Sequence, residues 1–321
     1  MTKPQAVALA WLQRASLPVR SLWDATELRR ALAALSVNLD GRPAAANTVK
    51  RRRAILHQLL EWAVEQQLFT FNPLDRIKWT PPRTNPAVDP RVVVNPAQAV
   101  LLLDCVALVG RERGARMRAL FATMYYAGLR PEEVAALRKD NCHLPEHGWG
   151  LLILDGSRPQ SGSRWTDSGE TSEPRSLKHR ASKATRQVPI PLALVHILRE
   201  HMHAYGTAKD GRLFCTPTGK PYTPSALSRV WAEARRAALT SEQQASPLAA
   251  RPYDLRHAAV SLWLNAGVAP AEVAERAGHG VDVLLKVYAH CLDGDLHIHN
   301  TKIEHALEWC PRQDSNLRHP L

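Results

Sequence analysis

Five prolines fall between Thr80 and Pro96, in the segment TPPRTNPAVDPRVVVNP. Each fixes φ, removes a backbone donor and pushes the residue before it out of the helical region, so neither a helix nor a sheet interior can run through this stretch. The segment therefore predicts an extended linker, and a chain of 321 residues is long enough to place a domain on either side of it. The expected organisation is a helical domain over residues 1–80, a linker over 81–96, a larger domain over 97–309 and a tail over 310–321 that lacks any apolar period and is expected to be disordered.

The first domain reads as all helix. Asp24 and Glu27 suit a capping box ahead of an apolar face of Leu28, Leu32 and Leu35. A second helix is expected from Asn47–Thr48, with Leu56, Leu59, Leu60 and Ala63 along its inner side. Its opening turns hold Lys50, Arg51, Arg52 and Arg53. Cations there oppose the helix macrodipole unless an anion lies nearby, which marks the run as a candidate DNA contact rather than a merely solvated face. Through Thr80 there are twelve basic and six acidic residues, half of the chain's +12 in a quarter of its length. That balance favours a polyanionic partner, nucleic acid before an anionic membrane.

An apolar fraction of 45% supplies a packed core and excludes a disordered chain. The five cysteines, Cys105, Cys142, Cys215, Cys291 and Cys310, fall at neither metal-ligand nor redox spacing and read as reduced thiols. No metal site is expected. The start shows no signal-peptide pattern and no apolar run is long enough to span a bilayer, so a cytoplasmic protein without a membrane partner is expected.

The second domain reads as mostly α with a small β-sheet or hairpin, an α+β arrangement. Helical periodicity through Met117, Leu120, Phe121 and Met124 stops at Gly128, and Pro131 opens the next helix. Arg130 is thereby held at a corner beside a helix start, where free N–H groups favour phosphate. A β section follows: Leu151 to Leu154, a Gly/Ser-rich insertion from Asp155 to about Pro174, then Val188–Ile190. Further on, Tyr253-Asp254-Leu255-Arg256-His257 repeats the arginine-at-helix-start arrangement, with Asp254 as expected N-cap. The window Ala277-Gly278-His279-Gly280 ends one helix and begins another that carries Leu284, Leu285 and Tyr288 on one stripe.

Taken together, an Arg in G-L-R-x-x-E, an L-R-H box, a G-H pair and a Tyr nine residues after that His resemble the tyrosine site-specific recombinases of the phage integrase family. The resemblance runs from the first helices to about Leu292. It implies a helical core-binding domain that clamps one face of the DNA, and a catalytic domain on the other. It further implies strand cleavage and rejoining through a 3′-phosphotyrosyl intermediate, with no cofactor. Double-stranded DNA at attachment sites would be the partner, bound by a homotetramer on paired sites, and the reaction would integrate a mobile element. Carried over residue by residue, Arg130 and Arg256 grip the scissile phosphate, His279 assists by a hydrogen bond and Tyr288 is the nucleophile. The family's hairpin lysine has two candidates: Lys178, which continues a strand into the turn, and Lys183 in the turn itself.

One position departs from the family. Where it usually has His in H-x-x-R, this chain has Tyr253, and a tyrosine hydroxyl, with an ordinary pKa near 10, is a poor base at neutral pH. It can still donate a hydrogen bond to phosphate. The neighbouring His257 points about 100° round the helix from Arg256 and is expected to make a structural contact. Two other readings are distinct in kind: Ala271 to Tyr288 also resembles the helix-turn-helix of a non-enzymatic DNA reader, and a type IB topoisomerase-like nicking enzyme would use the same residues.

The tail adds an expectation about the gene. Asp314-Ser315-Asn316-Leu317 can be written GAT-TCG-AAC-CTG, which contains GATTCGAACC, the reverse complement of the T-arm sequence GGTTCGAATC of transfer RNA genes. Members of the resembling family often recombine within such genes. The 3′ end of this gene is therefore expected to spell that arm, and sequencing it decides the matter: other codons for Ser315 and Asn316 would end the idea.

Overall fold

The structure, a computed structural model, describes residues 2–178, 184–291 and 296–309. The expected tail over 310–321 lies outside them. The chain divides into two compact units, Met1–Asn85 and Pro86–Leu321, and the division falls inside the proline-rich segment.

The first unit contains helices α1 (Lys3–Ala15), α2 (Ala25–Leu35) and α3 (Ala46–Glu65). Asp24 caps α2 by accepting from the Thr26 and Glu27 backbone N–H groups. The Glu27 carboxylate takes the Arg30 guanidinium, at 2.9 and 3.1 Å, instead of returning to the cap. Leu28, Leu60, Ala63, Phe69, Leu74 and Ile77 form the core of this unit. Leu59 is exposed, contrary to expectation, because the buried stripe of α3 follows Leu56, Leu60 and Ala63 and leaves Leu59 at its rim.

The second unit continues with α4 (Pro96–Leu108), α5 (Arg113–Tyr126), α6 (Pro131–Ala136), strands β1 (Cys142–His143), β2 (Gly150–Leu154) and β3 (Arg186–Ile190), then α7 (Leu192–Tyr205), α8 (Pro224–Ala238), α9 (Ser241–Ala245), α10 (Asp254–Asn265), α11 (Pro270–Ala277), α12 (Val281–Tyr288) and α13 (Leu296–Trp309). The mostly helical class with one small sheet is as the sequence indicates. The three strands are antiparallel in the order β1-β2-β3, with Leu152 opposite Val188 and Leu154 opposite Arg186. Between β2 and β3 the chain makes an excursion held by bridges Ser157–Arg175 and Gln160–Ser172. Leu177–Lys178 does not continue a strand, since the partner of β2 starts only at Arg186.

Two local expectations are corrected here. Tyr253, not Asp254, occupies the cap position of α10, because the preceding turn already brings Tyr253 into helical φ/ψ. Asp254 instead faces back, accepting from the Arg251 backbone N–H at 2.8 Å and its guanidinium at 3.1 Å. The later part of the proline segment is no free tether either: Val88 N–H donates to the Val287 carbonyl at 2.8 Å, and Ala249 N–H to the Val92 carbonyl at 3.0 Å. These residues strap the end of α12 to the loop that leads into α10. Among the described residues no helix is long and apolar enough to cross a membrane.

That loop is held by two side chains of α8. The half-buried Arg235 of α8 donates to the carbonyls of Gln243, Gln244, Ser246 and Leu248, at 2.7–3.0 Å. Beside it, the Trp231 indole donates to the Ala249 carbonyl at 2.7 Å. Truncating Arg235 leaves four carbonyls without their charged donor, so Arg235→Ala should lower stability by roughly 2–4 kcal/mol. Urea unfolding followed by circular dichroism reads this as a fall in midpoint.

Candidate active site

The site is built around one carboxylate. The turn after α5 requires positive φ at Gly128 (+58°), where a Cβ would also strike Trp263, and it delivers Arg130 to the cap position of α6. Glu133, in the first turn of α6, accepts from the Arg130 backbone N–H through Oε2 and from the Arg130 guanidinium through Oε1, each at 2.9 Å. Arg186, at the start of β3, adds a two-pronged pair to the same carboxylate, both bonds at 2.8 Å. Burial alone would raise the Glu133 pKa, but the Arg186 hydrogen bonds and the charges of Arg186, Arg130 and Arg256 prevail and hold it down at about 2.

Arg256 completes the cluster without a carboxylate of its own among the described residues. Wholly buried in α10, it donates to the carbonyls of Gly128 and Ala277, and its Nη2 lies 2.8 Å from His279 Nε2. Burial first, and Arg130 next, push its pKa below the ordinary value, yet a guanidinium stays charged at any working pH. Because arginine only donates, His279 Nε2 must carry the lone pair, so the ring is neutral with its proton on Nδ1. Nδ1 has no hydrogen-bond partner among the described residues. Burial and the arginines Arg256, Arg130 and Arg186 push the His279 pKa down to about 3, consistent with the neutral ring.

Gly278 sets this geometry. It ends α11 in the left-handed region (φ +66°), and a side chain there would collide with the Arg186 guanidinium. Its carbonyl accepts from Arg130 Nη2 at 2.9 Å.

Tyr288 is the last residue of α12 and only 1% exposed, packed with Val88, Val260, Val273, Ala277 and Leu284. Its ring stacks near His279, centroids 6.2 Å apart, and its hydroxyl lies 3.0 Å from His257 Nδ1. Burial pushes the Tyr288 hydroxyl above its ordinary pKa and lowers His257 to about 4, so the pair is neutral. Tyr253 is half-buried and lies edge-on to His257, at 5.1 Å between centroids. The structure thus brings together Arg130, Arg256, His279, Tyr288 and Tyr253. It adds Glu133, Arg186 and His257, to which the sequence reading gave no role in the site. The alternation Arg186, Val188, Ile190, all on the buried face of β3, was the available signal for Arg186. His257 was expected to make a structural contact, and its partner is the Tyr288 hydroxyl.

Other candidates stand apart. Lys178 is exposed in a turn and makes no hydrogen bond or ion pair with another described residue; Lys183 lies outside the described residues. In the basic run of α3, Arg52 donates to the Leu35 and Val37 carbonyls at 3.0 and 2.9 Å and to Asn38 Oδ1 at 3.1 Å. This cation serves the end of α2, where it is favourable, which relieves the conflict with its own helix start. Arg53 lies over the Trp79 ring at 4.5 Å, and Lys50 donates to Thr84 Oγ1 at 3.1 Å. Arg51 is exposed. Among the described residues, one group has metal-ligand character, His57, Glu61 and Asp75 in the first unit, with ligand atoms within 4.8 Å of one another. The described cysteines are free thiols.

With this geometry in view, comparison with known proteins is direct. The sequence profile described as "Phage integrase family" matches residues 93–294, well over half of the chain and all of the residues gathered round Glu133. The chain belongs to the phage integrase family. Within it, the chain is 27% identical over 252 residues to the tyrosine recombinase XerD of Ralstonia nicotianae, covering 76% of this chain and 69% of that one. It is 25% identical over 203 residues to an integrase of Streptomyces ambofaciens; that match spans 60% of this chain and about half, 49%, of the relative's length. In fold it is similar to the Tn1549 transposon integrase, solved in complex with transposon right end DNA (TM-score 0.62, 18% identity, 95% of this chain and 94% of that one).

The cluster has a pH signature. Glu133 has its pKa depressed from 4.5 to about 2, so its contribution is present above the unfolded value and is lost as pH falls through the folded one. Wild-type protein should therefore lose stability between about pH 4.5 and pH 2. Glu133→Gln should lack that part of the acid transition and be less stable at neutral pH by roughly 3–5 kcal/mol, since it leaves buried guanidiniums without a counter-charge. Urea titrations at several pH values measure both.

Proposed function

We propose that this chain is a site-specific DNA recombinase that cuts and rejoins double-stranded DNA through Tyr288. The observation that carries the reading is the meeting, in one largely buried cluster, of two guanidiniums, a neutral imidazole with a spare donor and a tyrosine hydroxyl. A phosphodiester is a monoanion, and in-line attack concentrates charge on its non-bridging oxygens. Arg130 and Arg256 supply planar donors of fixed charge for those oxygens, and His279 Nδ1–H supplies a third. The Tyr288 oxygen bonds to phosphorus as the bond to the 5′ oxygen breaks, leaving a 3′-phosphotyrosyl link. Lys178 protonates the departing oxygen. The link stores the energy of the broken bond, so rejoining needs neither ATP nor metal.

Arg256 is 0% exposed and Tyr288 1%, so DNA must open the cluster on engaging it. In this reading residues 1–80 form the core DNA-binding domain, with Arg51 the member of the basic run left to meet phosphate, and residues 97–309 form the catalytic domain. Support for a DNA partner comes from relatives: the Tn1549 integrase was solved on transposon and circular-intermediate DNA, and XerH on its difH substrate. A homotetramer on paired attachment sites, acting in the cytoplasm to move a mobile element, follows from the same reading. A separate helix-turn-helix reader fits poorly. The outward face of α12 carries Val281, Val283 and Leu285 where a recognition helix needs polar side chains. Synapsis of two duplexes separates recombination from topoisomerase-like nicking and closing.

The test is a suicide duplex nicked next to the scissile phosphate of a candidate attachment site. Wild type should form a protein–DNA adduct that survives a denaturing gel, and Tyr288→Phe should form none while keeping its fold and DNA affinity. An adduct in the Phe variant would place the nucleophile elsewhere.

A further inference from the structure

The family's usual proton-transferring histidine is absent at position 253, and a phenol is a poor proton acceptor there. One helical turn later, on the same side of α10, stands His257. Its Nδ1 is 3.0 Å from the Tyr288 hydroxyl, within reach for proton transfer. No other nitrogen base among the described residues has a hydrogen bond to that hydroxyl. The ring of Tyr253 packs edge-on against His257 and fixes the imidazole plane.

We propose that His257 is the general base that takes the Tyr288 proton, so that the base of this enzyme sits at position 257 and Tyr253 positions it. The proposal rests on the reading of Tyr288 as nucleophile. In the step, the Tyr288 oxygen forms its bond to phosphorus while the bond to the 5′ oxygen breaks. The hydroxyl proton passes to His257 Nδ1, and the 5′ oxygen takes a proton from the general acid of the leaving-group side. Transfer accompanies bond formation: as the phenolic oxygen gives electron density to phosphorus its proton becomes acidic, so a neutral imidazole suffices although the resting hydroxyl holds its proton firmly. The groups facing His257 agree with this. Burial first, then Arg251 and Arg256, keep the resting ring neutral and ready to accept, while the buried Asp254 one turn earlier steadies the imidazolium once formed. Tyr253 and Tyr288 supply the ring contacts.

The alternative is that this hydrogen bond only anchors a buried ring, and the two make different forecasts. His257→Asn puts a polar group where Nδ1 stands but accepts no proton. On a nicked duplex carrying the element's own attachment-site junction, its rate of adduct formation should fall roughly a hundredfold or more, with melting temperature and DNA affinity unchanged. The loss should persist when the bridging 5′ oxygen is replaced by sulfur, a leaving group that needs no proton. On that sulfur substrate the wild-type protein, with only the Tyr288 proton in flight, should show a normal solvent deuterium isotope effect. That last measurement does not depend on any variant folding. An Asn variant within about threefold of wild type, a loss repaired by sulfur, or the absence of an isotope effect would each overturn the assignment. A wild-type adduct mapping to a residue other than Tyr288 would instead defeat the reading of the nucleophile on which the proposal rests.

Discussion

Three guanidinium groups surround one buried carboxylate, and most of the second unit is arranged to hold them there. Glu133 takes both Nη groups of Arg186 and one of Arg130, while Arg256 is left to backbone carbonyls and a neutral imidazole. Like charges this close repel in a low-dielectric interior, and desolvating each costs several kcal/mol before any partner is found. Such a cluster stands only where the scaffold overdetermines it. Here that scaffold is the apolar core formed by α4, α5, α7, α8 and the small sheet. In the proposed function, the surplus of positive charge at its edge is what meets a phosphodiester.

Two glycine corners make the convergence possible, and the arginines cross between them. Arg130 leaves the corner made by Gly128 and donates to the carbonyl of Gly278; Arg256 reaches back to the carbonyl of Gly128. Segments 128 residues apart in sequence are thus tied by backbone acceptors rather than by ion pairs. A carbonyl accepts without neutralising the charge, so Arg256, which has no carboxylate partner among the described residues, is fixed in place and keeps its electrostatic reach. Tyr288 is brought to the same point by the Gly278–Gly280 turn and by the strap through Val88, which together set the start and the end of α12.

Much of this was legible in the residues. Prolines marked the boundary region, glycines marked both corners, and the spacing from His279 to Tyr288 singled out the nucleophile candidate before any coordinates. What the sequence hid was partnership. Arg52 looked like a phosphate contact but closes the end of α2, because whether a cation on α3 faces solvent depends on what packs beside it. His257 was read as a structural contact without a partner, since rotation about one helix says nothing of a tyrosine arriving from another. Asp254 has the composition of a cap, but the turn before it had already entered helical geometry. Leu177–Lys178 suggested a continuing strand, whereas the register of β2 is taken up only from Arg186. For Arg52 and His257 the deciding contact is distant along the chain, whereas for Asp254 it is the turn just before it.

The central claim is that fixed, planar guanidinium groups with a surplus of positive charge over Glu133 act on the phosphate as it reacts, beyond attracting DNA. Arg256→Lys tests it most directly, because lysine keeps the charge and loses the fork. Adduct formation on the nicked duplex should fall by at least about a hundredfold, while equilibrium binding at low salt changes little, since most affinity comes from other phosphate contacts. Equal losses in binding and cleavage, or cleavage at the wild-type rate, would contradict the account.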